Sequence, residues 1–341
     1  MKTIDKERAL QLHKRAIIID ALEFAQYPSY YEADIDKIMA AGVTACNLTV
    51  PGPNDSLAVA INKITTWKGL FRKHADKLIQ VLTSRDIEAA KKEGKLGIII
   101  GSQNADILGS DLSLLATYEA LGMRIMQPTY TFQNLLGEGC GERTDSGFSL
   151  FGLEWVKEMN RLRMAIDLSH CGDQVTLDGI KYSEAPVVIT HSNPRALVNN
   201  PRNKTDEAIR ALADKGGVIG ITTYGPFCEI KKGVRSTWAD FLDLIDYTVK
   251  LVGVDHVGFG TDFAIWTKEQ FDAWAAAQLP FYLPTGGYFG RNVFANEEGG
   301  YNYRELHLVT EGLVGRGYSD QDIEKILGLN FLNVFREIWG G

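Results

Sequence analysis

Leu150–His170, LFGLEWVKEMNRLRMAIDLSH, is an amphipathic stretch (Leu150–Arg163) that runs straight into a short apolar segment (Ala165–His170) ending in polar residues. The first part has the periodicity of a helix with one apolar face, and the second reads as a buried strand. The same alternation runs along the chain. Strands are predicted at Ala16–Leu22, Ala45–Val50, Leu96–Gln103, Met123–Tyr130, Ala165–His170, Val187–Ser192, Gly217–Tyr224 and His256–Phe263, with Leu78–Thr83 as a further short candidate. Helical periodicity lies between them at Glu32–Ala41, Leu57–Ala75, Asp111–Leu121, Asp206–Lys215, Trp238–Val252 and Tyr303–Gly315.

Eight strands with interleaved helices predict an α/β chain closed into a (β/α)8 TIM barrel. An open doubly wound sheet is the competing architecture, but the first strand-to-helix turn reads Asp20-Ala21-Leu22-Glu23 where a glycine-rich phosphate loop would stand. A last helix, Ile323 to Trp339, capped by Ser319, is expected to pack its apolar face on the barrel. No repeat or linker divides residues 1–341, so a single barrel domain is expected. Ile265 to Asn302 lacks clear periodicity and is rich in glycine and aromatics, which makes it a candidate lid or oligomer contact.

A net charge of -7 without an aromatic-interleaved basic patch argues against nucleic acid as a partner. The charged, helical N-terminus and the short apolar runs argue against a signal peptide or membrane span, and cytoplasmic localisation is expected. Cys46, Cys140, Cys171 and Cys228 form no CxxC pair and are expected to be reduced, small apolar core residues.

In such a barrel the chemistry belongs at the C-terminal strand ends, where the loops converge. Strand five ends in Asp167-Leu168-Ser169-His170, strand six in Thr190-His191-Ser192-Asn193 and strand eight in Gly260-Thr261-Asp262. His170 and His191 are candidate ligands for zinc or another divalent ion and, with Asp262, candidate catalytic residues. His13, His74, His256 and His307 fall in helices or at a strand start and are read as structural. Gln103 and Asn104 at the end of strand three, Tyr130 at the end of strand four and Asn134 in the following loop are candidate substrate-binding residues. Arg202, in a proline-stiffened loop, offers a guanidinium for a substrate carboxylate.

The runs Leu121-Gly122-Met123-Arg124, Ser149-Leu150-Phe151-Gly152, Glu158-Met159-Asn160-Arg161-Leu162, Asp167-Leu168-Ser169-His170, Pro186–Ser192 and Gly258–Phe263 resemble, in order, the membrane (renal-type) dipeptidase family, peptidase family M19. The resemblance implies an amidohydrolase-like barrel that hydrolyses dipeptides with two zinc ions. Its ligands would be a His-x-Asp pair on strand one, a bridging glutamate on strand three and two histidines on strands five and six. Leu22 and Phe24 stand where the His-x-Asp pair would be, and Gln103 stands at the bridging glutamate. His170 and His191 match the two histidines, Arg202 the substrate-carboxylate arginine and Asp262 the acid near the scissile bond.

The sequence therefore predicts a dipeptidase-family hydrolase acting on a small carboxylate-bearing amide, with at most one metal ion and with Glu23, Asp106 or Gln103 as possible third ligands. The alternatives are a metal-free acid/base enzyme in the same pocket (isomerase, lyase or hydrolase) and a non-catalytic small-molecule binder. A homodimer is expected from the prevalence of two-fold assemblies and from the family.

Overall fold

The computed structural model describes residues 5–24, 28–264 and 303–340. Ten parallel-pairing strands are found among them: β1 (Ile19–Phe24), β2 (Ala45–Thr49), β3 (Leu78–Gln80), β4 (Leu96–Ser102), β5 (Met123–Met126), β6 (Ala165–Ile166), β7 (Val188–Ile189), β8 (Val218–Ile221), β9 (Val257–Phe259) and β10 (Phe263–Ala264). The ladder runs β10-β1-β2-β4-β5-β6, and a second runs β7-β8-β9. Two seams join them. At the first, Asp167 pairs with Val188 and the Leu168 amide donates to the Val188 carbonyl at 2.9 Å. At the second, β9 continues into β10, which pairs with β1 through Glu23 and Phe263. The predicted eighth strand is therefore two short strands either side of the polar turn at Asp262. The sheet closes as the predicted (β/α)8 barrel, with β3 an extra strand on the N-terminal half of β4.

Successive strand residues face opposite layers, as the two-residue period requires. Ile19, Ala21, Ala45, Ile99, Ile125, Ala165, Val188 and Val218 form one buried cluster, while Ile18, Cys46, Ile98, Ile100, Met126, Ile189 and Ile219 belong to the layer shared with the surrounding helices. Most of the first group stand at the starts of their strands. The same cluster takes in Phe331, Val334, Phe335, Ile338 and Trp339 of the helix Asn330–Trp339. That helix thus plugs the N-terminal end of the barrel and leaves the opposite end to the polar residues.

The predicted helix from Ile323 to Trp339 is not continuous. Ser319 caps a short helix, Asp320–Glu324, a wider turn follows over Lys325–Leu329, and the helix Asn330–Trp339 starts after it. The interruption lies at Gly328, where a Cβ would stand 2.4 Å from the Ile17 carbonyl oxygen, so the chain comes this close to β1 because there is no side chain. Two ten-residue helices not predicted are present, Ser84–Glu93 and Asp173–Tyr182, as is the single turn Gly225–Cys228. All four cysteines are free and buried. The four histidines read as structural have local partners: His13 meets Thr310 and Ala41, His74 meets Glu32, His256 meets Gly217 and His307 meets Arg304. Among the described residues no helix is long and apolar enough to cross a membrane. The predicted lid or oligomer contact at 265–302 lies outside the described residues.

Phe335 is fully buried, stacked on Trp339 at 4.4 Å and against Phe331 at 5.6 Å. Phe335→Ala should cost about 3–5 kcal/mol of unfolding free energy, measured by urea denaturation. A loss below about 1 kcal/mol would show that the plug contributes little to the closed barrel.

Candidate functional site

His170 and His191 follow β6 and β7 and are buried at the C-terminal end of the barrel. Their Nε2 atoms stand 3.1 Å apart, with ring centroids 5.1 Å apart. Burial, and then the Arg202 guanidinium, hold both imidazoles well below the usual histidine pKa, so both are neutral at ordinary pH. The His170 ring stacks on Tyr130, with centroids 3.9 Å apart at 19°. Its Nδ1 is buried and has no hydrogen-bond partner among the described residues. The His191 Nδ1 meets Thr190 Oγ1 at 2.8 Å.

Behind the histidines lies a polar knot that sequence reasoning missed. The Asp167 carboxylate accepts from the Ser169 amide (3.1 Å) and hydroxyl (2.5 Å), the Thr190 amide (3.0 Å) and hydroxyl (2.6 Å), and Gln127 Nε2 (2.7 Å). The Ser169 hydroxyl in turn accepts from the His191 amide at 3.1 Å. The available signal was the presence of Asp, Ser and Thr inside two otherwise apolar strands, since buried polar side chains must be paired.

Arg202 is 1% exposed. Its Nη1 donates to the Ser169 carbonyl and to Ser192 Oγ (3.0 Å), its Nη2 to the His191 carbonyl (3.0 Å), and its carbon lies 5.1 Å from the Phe227 ring centroid. The guanidinium therefore grips the backbone that carries both histidines, and Nε is buried without a partner among the described residues. Beside it, Lys204 is wholly buried, donates to the Cys171 carbonyl and to Thr176, and is pushed down to about 8 by burial.

Asp262 has a left-handed backbone (φ 56), which a non-glycine residue adopts at a cost and which turns the chain between β9 and β10. Its amide donates to the Leu22 carbonyl at 3.0 Å. Burial raises its carboxyl to about 7, against the pull of Arg202 and with a further push from Asp20.

The remaining candidates divide. Gln103 is buried and donates to Thr49 Oγ1 at 2.7 Å. Asn104 donates to the Pro53 carbonyl and to Asp106, while its own oxygen accepts from Asn134. Asn134 also donates to the Pro128 carbonyl. These two amides tie mouth loops together. Glu23, considered as a third ligand, meets Tyr31, Cys46 and Tyr303 instead, and Asp106 is engaged by Asn104.

A two-ion centre does not fit these residues. Leu22 is buried and apolar, Gln103 carries no charge, and no group of three or more His, Cys, Asp or Glu side chains able to hold a metal occurs among the described residues. Two buried cations, Arg202 and Lys204, also oppose a concentration of positive charge. A single ion is a different matter. Two imidazole nitrogens at tetrahedral angles on one zinc, each at about 2.0–2.1 Å, stand roughly 3.3 Å apart. The observed 3.1 Å is close to that bite and is equally a hydrogen-bond distance.

The sequence model described as membrane dipeptidase (peptidase family M19) matches residues 1–274. A solved amidohydrolase from Pseudomonas aeruginosa is 35% identical, with 98% of this chain and 99% of that one covered at a TM-score of 0.85. An uncharacterized protein from the pqqA 5' region of Klebsiella pneumoniae is 26% identical over 84% of this chain and 98% of its own length. An uncharacterized dipeptidase of Schizosaccharomyces pombe is 33% identical over 62% of this chain, a match that spans 52% of the yeast protein.

An acid whose folded pKa is raised binds its proton more tightly in the folded state. For Asp262 this stabilises the fold below 3.8, and the contribution is lost as pH rises from 3.8 through about 7. Asp262 is partly exposed, which reduces the effect without changing its sign. Asp262→Asn should therefore gain stability relative to the wild type across that window, read from urea midpoints at a series of pH values. A difference independent of pH would contradict the elevated carboxyl.

Proposed function

Because the chain belongs to the membrane dipeptidase family, a family of metallo-hydrolases, we propose that it hydrolyses a small carboxylate-bearing amide or dipeptide-like substrate at a centre reduced to at most one divalent ion. The observation that carries this reading is the convergence of His170 Nε2 and His191 Nε2 at the separation one ion would span. These two nitrogens would hold the ion. Bound there, zinc would supply Lewis-acid polarisation of a carbonyl and a water of lowered pKa.

The chain's own groups support the rest. Asp262, with a carboxyl near 7, is poised to take up a proton and pass it to the leaving nitrogen. Arg202 holds the His191 and Ser169 carbonyls and places positive charge beside the site, where a substrate carboxylate gains from it. Tyr130 backs the His170 ring and restricts its rotation. Gln103, bonded to Thr49 through its nitrogen, has an amide oxygen with which to orient a substrate N–H or a water.

A second reading rests on a different observation. Metal-bound histidines ordinarily donate their other N–H to a partner, whereas His170 Nδ1 has none among the described residues and its Nε2 lies within hydrogen-bond distance of His191. On this reading the pair is a metal-free acid/base dyad that works with Asp262 on the same class of small carboxylate.

Metal per chain, measured by elemental mass spectrometry on protein purified without chelator or metal affinity resin, decides between them. The single-ion reading expects a value near one that collapses in His191→Ala. A value near zero selects the dyad, and a value near two would overturn the reading of Leu22 and Gln103. In assays on a panel of N-acyl amino acids and dipeptides, His170→Ala and His191→Ala should each lower turnover by about 10²-fold or more.

A further inference from the structure

We propose that Thr190, held by Asp167, is a positioning residue that fixes the tautomer of His191, with hydrogen on Nδ1 and the Nε2 lone pair turned to the site. The inference follows from counting protons. Asp167 is approached by five donors: two amides, two hydroxyls and the Gln127 side-chain amide. Three of these donors are N–H groups that cannot accept, and although either hydroxyl could, only a carboxylate accepts all five hydrogens on Asp167 itself. The group is therefore an acceptor at both oxygens.

Thr190 has a single hydroxyl hydrogen and three polar neighbours: Asp167 Oδ2 at 2.6 Å, His191 Nδ1 at 2.8 Å and Ser169 Oγ at 3.2 Å. The charged acceptor at the shortest distance takes it. Thr190 Oγ1 can then only accept from the imidazole, so His191 Nδ1 must carry the hydrogen. Neutral imidazole has one N–H, which leaves Nε2 bare.

The consequence passes to His170. With His191 Nε2 a lone pair, the 3.1 Å contact between the two rings is a hydrogen bond only if His170 carries its hydrogen on Nε2, and that leaves its unpartnered Nδ1 as a bare nitrogen rather than a buried N–H. The two histidines are thus inequivalent: the His191 tautomer is locked by Thr190, while the His170 tautomer is set only by its contact with His191. This holds whether the site works with an ion or as a metal-free dyad, because the lock lies on the far side of the ring from the substrate.

The test is long-range nitrogen–proton correlation spectroscopy on the full chain, labelled with ¹⁵N-histidine and treated with chelator, with His191 assigned from the spectrum that His191→Gln loses. The wild type and Thr190→Ser should show His191 protonated at Nδ1, and Thr190→Val should show mixed tautomers. Titration of the same three proteins with zinc sulfate should give about 10–100-fold weaker binding in Thr190→Val and wild-type affinity in Thr190→Ser, if zinc binds at all. A wild-type His191 protonated at Nε2, or an unchanged Nδ1 pattern in Thr190→Val, would overturn the proposal. The wild-type spectrum decides the tautomer even if the valine variant fails to fold. Absence of zinc binding with the Nδ1 pattern intact would remove the single-ion reading and leave this inference standing.

Discussion

At the two joints where the barrel has fewest ladder hydrogen bonds, between β6 and β7 and between β9 and β1, a buried aspartate takes the place of the missing pairs. The arrangement is the same at both. Asp167 accepts from the amide two residues on, Ser169, and from both the amide and hydroxyl of Thr190 across the seam. Asp20 accepts from the amide two residues on, Leu22, and from both the amide and hydroxyl of Thr261 across its seam. Further donors complete each set, Gln127 and the Ser169 hydroxyl for Asp167 and Tyr303 for Asp20. The residue after each threonine is a candidate catalytic group, His191 in one case and Asp262 in the other. Closing the sheet and aiming the site are thus one act, and neither threonine is replaceable by an apolar residue of similar volume without cost to both.

The two staples sit in different electrostatic surroundings. Asp20 lies beside Glu23, Tyr31, Cys46 and Tyr303, a group with no buried cation in it. Burial raises Asp20 to about 6 and holds Glu23 well above the usual carboxylate range, with the Asp20 charge adding to the push on Glu23. Burial thus pushes Glu23 towards its protonated form, and its Oε1 has no partner among the described residues. Beside His170 and His191, by contrast, Arg202 and Lys204 supply buried positive charge.

Much of this was legible in the sequence. Each of the eight strands was visible because a barrel strand is buried on both faces and reads as a compact apolar run, and the candidate at Leu78–Thr83 is present as β3. Ser84–Glu93 was missed because it is largely charged and buries little beyond Ile87 and Ala90; the capping box of Thr83 and Asp86 was its visible mark. Asp173–Tyr182 was missed because β-branched residues and Gly179 weaken its helical pattern, and that glycine is there because Leu168 packs against it. The break at Gly328 depends on a carbonyl of Ile17, a contact no local pattern reveals. At the site, His170 and His191 stood out as strand-end histidines, whereas Asp167 and Thr190 were quoted beside them without a role. Their meaning comes from pairing across a seam, between residues on separate strands. Arg202 was legible as a cation near the substrate, but its hold on the Ser169 and His191 carbonyls was not.

The helix that plugs the barrel also bears on how the molecule is made. Phe331, Phe335 and Trp339 fill a space walled by the first residues of β1, β2, β6, β7 and β8, all of which leave the ribosome before the plug does. During synthesis the floor of the barrel is open, and Ile19, Ala45 and Val188 face water or one another until Asn330–Trp339 arrives. Final closure therefore waits for the plug. The interval before it is when the nascent chain offers an apolar cavity to chaperones, and a nonsense codon ahead of Phe331 would make that exposure permanent in a product that still carries every residue of the candidate site.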